Sequence, residues 1–172
     1  MEKKLTSEEV ARALHLEPLL REGGMFRSTY SQMAPDQSHV LSNAIYYLLQ
    51  KGQFSHLHRL NHDEIYHYHL GDPLELIEIR PDGTCERFLC GPDVLNGQVP
   101  QVTIHAGCWQ GSRVAKGGEF CLVGTVSIPG WTPEGYEHCE DCEPLVQQHP
   151  QWEELIRNLC RDVSTQFKTE EA

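Results

Sequence analysis

The sequence predicts an all-β sandwich or barrel with a short helix at each end, on three observations. Short runs of alternating, β-branched and aromatic residues recur at near-regular spacing over the middle of the chain. Compact turn signals separate them, the strongest being Pro81-Asp82-Gly83. Helical periodicity is confined to the two ends.

At the N-terminus, Thr6-Ser-Glu-Glu9 has the form of a capping box and leads into VARALHL, a short helix with Val10 and Leu14 on one face. Gly23-Gly24 breaks that pattern, and MFRSTYSQM then alternates as a strand. Asn43-AIYYLLQ has the length of a helix, but its isoleucine and paired tyrosines ahead of Lys51-Gly52 favour a strand ending in a turn. FSHLHRL, EIYHYHL, LELIEIR, CERFLC, QVTIHA, CWQGSRV and EFCLVGTVSI continue the meander. Pro150 opens the last element, in which Trp152, Leu155, Ile156 and Leu159 fall at helical spacing. A single domain over residues 5–167 is expected, with residues 1–4 and 168–172 frayed.

Composition narrows the function classes. The formal net charge is −11, against the phosphate neutralisation that nucleic-acid binding needs and against anionic membrane surfaces. No run reaches the ~18 apolar residues of a membrane helix, and MEKKLTSEEV lacks the apolar core of a secretion signal. The seven cysteines are odd in number and irregular in spacing, so they read as free thiols of a reducing, cytoplasmic setting. Cys139-x-x-Cys142 beside His138 resembles half of a zinc site and lacks a second pair. The acidity does not exclude a small anionic ligand, since a pocket can be locally positive inside an acidic shell.

Chemistry concentrates between Gly52 and Gly71, where His56, His58, His62, His67 and His69 surround Glu64. Strand alternation places Glu64, Tyr66 and Tyr68 on one face and Ile65, His67 and His69 on the other. On the preceding strand it places His56 with His58, opposite Ser55, Leu57 and Arg59. Downstream, Gly107 suits a turn that delivers Trp109, Gln110 and Arg113.

The order Gly52, His58, Glu64, Gly71 resembles the first signature of the cupin superfamily, and Gly97-QVPQVTIHAGCWQGSRV resembles the second, with Gln110 where that signature carries histidine. Arg21-EGGMFRSTYSQ, Asn43-AIYYLL, His58-RLNHDEIYHYHLGDPLEL and Val126-SIPGWTPEGYE extend the resemblance to a compact, single-domain cupin subgroup, a domain of unknown function. That subgroup is similar in fold to the dTDP-sugar epimerases of rhamnose synthesis. The resemblance implies a double-stranded β-helix, or jelly-roll barrel, that binds a nucleotide, nucleotide-sugar or sugar phosphate. It also implies a homodimer exchanging edge strands around Met25 to Tyr30. An epimerase of this type would use His58 as base and Tyr66 or Tyr68 as acid. Ser55, His56, Arg59, Glu64, Trp109, Gln110 and Arg113 would bind the ligand, an arginine meeting phosphate. Two alternatives stand beside it. One is a dioxygenase or isomerase holding iron, manganese or zinc on His58, Glu64, His56 and Gln110; with glutamine a weak ligand, no metal is the preferred reading. The other is a sensor or storage protein without turnover. Glu22-Gly23-Gly24 is characteristic of the subgroup; its glycines suit a tight bend, and a role near the pocket stays open.

Overall fold

The computed structural model describes residues 5–167, so the expected fraying at 1–4 and 168–172 falls outside the described residues. Eleven strands follow in chain order: β1 (Glu17–Pro18), β2 (Met25–Met33), β3 (Val40–Gln50), β4 (Phe54–Leu60), β5 (Asp63–Gly71), β6 (Leu74–Ile79), β7 (Cys85–Cys90), β8 (Gln101–Ile104), β9 (Trp109–Val114), β10 (Phe120–Ile128) and β11 (Tyr136–His138). The helices are α1 (Ser7–Ala13), α2 (Glu143–Gln148) and α3 (Glu153–Leu159). Two antiparallel sheets result, ordered β1-β2-β3-β10-β5-β8 and β11-β4-β9-β6-β7.

Alternation accounts for the layers. On β6, Leu74 and Leu76 point between the sheets, while Ile77 and Ile79 point out beneath α3. The interior layer also holds Tyr47, Leu49, Tyr66, Val102, Ile104 and Val123. The outer face of the second sheet is covered by Val146, Leu155, Ile156 and Leu159 from the C-terminal cap. On the opposite side, α1 lays Val10 and Ala11 against Leu48, Phe120 and Leu122. No helix among the described residues is long and apolar enough to cross a membrane.

The capping box forms as the sequence specifies: Glu9 N donates to Thr6 Oγ1 at 3.3 Å, and Thr6 N donates to Glu9 Oε2 at 3.1 Å. Thr6→Ala is expected to cost about 1 kcal/mol, read as a shifted urea midpoint with unchanged slope. No shift would mean that burial alone holds α1.

The turn at residues 81–83 also forms as expected, with Thr84 N donating to Asp82 Oδ1 at 2.8 Å and Gly83 at φ 86°. Three elements go beyond the sequence reading: β1, the short β11 strand, and α2. The C-terminal helix is also shorter than expected, because residues 150–152 form a 3-10 turn before α3 begins.

Two β-bulges decide which side chains reach the interior. The register of β4 on β9 shifts between Ser55 and His58, so Ser55 and His58 both turn inward. Leu57 packs outward under α3, and His56 stacks on His138 at 3.7 Å between ring centroids. The expected sharing of one face by His56 and His58 is thus corrected. A second shift, opposite Leu122/Val123 of β10, lies beyond Tyr68. Tyr68 therefore keeps the interior face while Leu70 turns toward α1.

Candidate functional site

One end of the barrel encloses a cavity of about 220 Å³ with largely apolar walls, including Leu19, Phe26, Ile45, Leu60 and Trp131. Into it project Glu22, His58, Glu64, Tyr47, Tyr66 and Tyr136. Among the described residues Arg21 is the single arginine or lysine lining it, and its guanidinium lies over the Tyr136 ring at 4.3 Å.

Glu64 enters from β5, with Ser127 and Ile104 as its neighbours on β10 and β8. Gln110 Nε2 donates to Glu64 Oε2 at 3.0 Å. The Tyr66 hydroxyl lies 2.8 Å from Gln110 Oε1 and 3.2 Å from Glu64 Oε2. A hydroxyl has one proton to give, so Gln110 Oε1 and Glu64 Oε2 compete for it as acceptors. Burial and the nearby Glu22 charge push the Glu64 carboxyl above its ordinary range.

His58 comes from β4, its Nδ1 bound to the His56 carbonyl at 2.6 Å, which leaves Nε2 for the cavity. Its ring stacks on Tyr136 at 5.0 Å. Burial lowers its pKa, partly opposed by Glu64, so the imidazole is held neutral.

Glu22 belongs to the segment for which the sequence left a role near the pocket open without assigning it a chemistry. Residues 19–24 fold into a tight loop, with Gly23 N donating to the Leu19 carbonyl at 2.7 Å and Leu19 N to the Gly24 carbonyl at 2.9 Å. The Glu22 backbone carbonyl accepts from His56 N at 2.7 Å, which ties the loop to β4. The Glu22 carboxyl receives the Ser55 hydroxyl at 2.6 Å. Burial raises its pKa to about 7, with the Ser55 bond opposing the shift. Although the residue as a whole is half-buried, its carboxyl lies inside the cavity. Two carboxyls and a neutral imidazole thus share one apolar space, a setting that moves proton affinities toward neutrality.

The structure therefore gathers His58, Tyr66, Glu64, Gln110 and Ser55 in or directly behind the cavity wall, and disperses the other expected site residues. Tyr68 is four residues beyond Glu64, ~13 Å along an extended strand, and its hydroxyl donates to the Gly71 carbonyl at 2.6 Å. His56 faces the outer cap. Arg59 pairs with Glu137 at 2.5 and 3.0 Å on the surface and covers Trp109 at 4.7 Å. Arg113 binds Glu75 at 2.7 Å and Glu154 at 2.9 Å, also outside. Trp109 and Arg113 flank Gln110 at odd spacing on β9, so an inward Gln110 requires that they point outward.

The donor set does not suit a metal. His56 is turned away, and Gln110 is engaged by Tyr66 and Glu64. Among the described residues no three His, Cys, Asp or Glu side chains converge as ligands.

The comparisons agree with the fold. A protein from Shewanella oneidensis of known crystal structure is 35% identical, with a TM-score of 0.81 over 92% of this chain and 99% of that one. A hypothetical protein from Leishmania major is 29% identical, with a TM-score of 0.76 over 89% and 97%. Oxalate decarboxylase from Bacillus subtilis, described with Mn(II) centres, shares the fold alone, at 14% identity and a TM-score of 0.53 over 84% of this chain and 37% of that one. No curated protein matches the chain. The family model described as Cupin superfamily (DUF985) matches residues 8–139, and the chain belongs to that family.

Proposed function

We propose that this cupin binds a small, sugar-sized molecule in its barrel and exchanges protons with it through Glu22, Glu64 and His58, as an epimerase or isomerase does. The observation that carries the reading is the enclosure of two carboxyls in one apolar cavity with opposed roles available to them. Glu64, kept protonated, donates to a developing oxyanion. Glu22, with a pKa near 7, accepts a proton from the adjacent carbon. His58 presents a neutral Nε2 to the same space and replaces neither carboxyl.

The volume limits the ligand. About 220 Å³ is smaller than the ~300–1,000 Å³ of drug-sized pockets, so one ring is enclosed. The nucleotide of a nucleotide-sugar, or the phosphate of a sugar phosphate, lies at the rim, where Arg21 is the available cation. Arg59 and Arg113, engaged elsewhere in ion pairs, take no part.

A thermal-shift screen of metal-stripped protein against sugars, sugar phosphates, nucleotide-sugars and divalent metals tests this reading. A ligand at a hundred times its Kd stabilises by about 2.7 kcal/mol. The shift is expected to persist in Arg59→Ala, Arg113→Ala and His69→Ala and to shrink in Glu22→Gln, Glu64→Gln and His58→Ala. Equal shifts in all six variants, or stabilisation by a metal alone, would overturn it.

A further inference from the structure

Seven thiols are free, and burial sets most of them aside: Cys90 and Cys121 lie within the sheets, and Cys85, Cys90 and Cys108 have pKa values raised by burial to about 11. Cys139, Cys142 and Cys160 differ. They arrive from three separate points, directly after β11, at the N-cap of α2 and at the C-cap of α3, and pack together under the C-terminal cap. They lie close enough that Cys160 holds the Cys139 pKa below its ordinary value while Cys139 raises that of Cys160. A surface cleft of about 600 Å³ opens onto this cluster, with Cys139 and Cys160 in its wall beside His56 and His138. Arg21 and Arg161 also face the cleft, as do Glu140 and Asp162.

We propose that Cys139 and Cys160 are a redox-modification site, closing to a disulfide on reaction with a small disulfide of the glutathione type. Cys139 and Cys160 pack in one cluster and line the same cleft wall, the proximity that a disulfide of ~2.05 Å requires. In the first step the Cys139 thiolate, its pKa lowered beside Cys160, attacks one glutathione sulfur and expels a glutathione thiolate. In the second, Cys160 loses its proton to solvent and attacks the Cys139 sulfur, expelling the second glutathione thiolate. Two protein thiols are oxidised and one external disulfide is reduced to two thiols. The new bond fastens the end of α3 to the end of β11, whose Tyr136 walls the cavity and stacks on His58.

The test is equilibration of the full chain in glutathione buffers of graded potential, then acid quench, alkylation and peptide mapping without reduction. A Cys139–Cys160 linked peptide is expected to accumulate with the loss of two of the seven thiols and to disappear on adding dithiothreitol. Cys160→Ser should abolish the link; Cys142→Ser should retain it. The proposal fails if both thiols remain alkylatable at the most oxidising potential, or if glutathione is recovered only as single adducts. It also fails if links form among Cys85, Cys90, Cys108 and Cys121 instead. Wild-type mapping decides the matter even if Cys160→Ser does not fold.

Discussion

Gly23→Ala is expected to be among the most damaging single substitutions in this protein, costing on the order of 3 kcal/mol or more from backbone strain plus overpacking. Gly23 sits at φ 109°, in the region that favours glycine, and a Cβ there would overlap the Phe54 carbonyl oxygen and the Gln166 side chain. The carbonyl belongs to β4 and cannot rotate away. Its own carbonyl accepts the Tyr47 hydroxyl at 2.9 Å, so displacing the loop also breaks a buried hydrogen bond. Gly52→Ala is the control: it has φ 84° but open space around the added carbon, so it carries the strain without the clash, about 1 kcal/mol. Thermal unfolding of a chain this size moves ~2–4 °C per kcal/mol. Equal shifts in the two variants would show that the loop is not packed against β4 as described.

Glu22→Gln is expected to change the pH dependence of stability. A carboxyl of ordinary pKa 4.5 raised to about 7 in the folded state binds its proton more tightly when folded. Its contribution is fully favourable below about pH 4.5 and declines as pH rises through 7, by up to about 3 kcal/mol, less whatever water entering the cavity recovers. His56 acts in the other direction. Burial lowers its pKa to about 4 from 6.5, so its contribution is present above pH 6.5 and lost as pH falls toward 4. The wild type should therefore show a stability maximum on the acid side of neutrality. In Glu22→Gln the Ser55 hydroxyl keeps an oxygen to bind, the alkaline decline flattens, and the maximum moves upward. Urea unfolding at pH 5, 6, 7 and 8 measures this. A variant retaining the wild-type alkaline slope would show that Glu22 does not carry it.

The barrel was legible because its determinants are local. Alternation, turn glycines and the Thr6–Glu9 box each act within a few residues, and β2 to β10 and α1 fall where those signals place them. The site was half legible for the same reason. His58, Glu64, Tyr66 and Gln110 lie on strands whose period reveals their faces, whereas the β4 bulge is fixed by pairing with β9 and leaves no mark in FSHLHRL. Alternation also separates Gln110 from Trp109 and Arg113, and applied to β9 it would have excluded both from the cavity. Glu22 was hidden by distance, since its carboxyl meets Ser55 thirty-three positions along the chain. Its one signal is the pair of glycines that follows it, each at positive φ, which marks a loop built to approach another strand closely. Tyr136 lay beyond reach because three residues of β11 are too few for a periodic pattern.

The central claim is that Glu22 and Glu64 share the cavity with proton affinities shifted toward neutrality. The direct measurement is a carboxyl-carbon NMR titration of glutamate-labelled protein, with Glu22→Gln and Glu64→Gln assigning the two resonances. An inflection near pH 7 for Glu22, and one above the ordinary 4.5 for Glu64, is the result expected. Both carboxyls titrating at or below 4.5 would place them in contact with bulk water or a cation, and would contradict the proposed acid–base site.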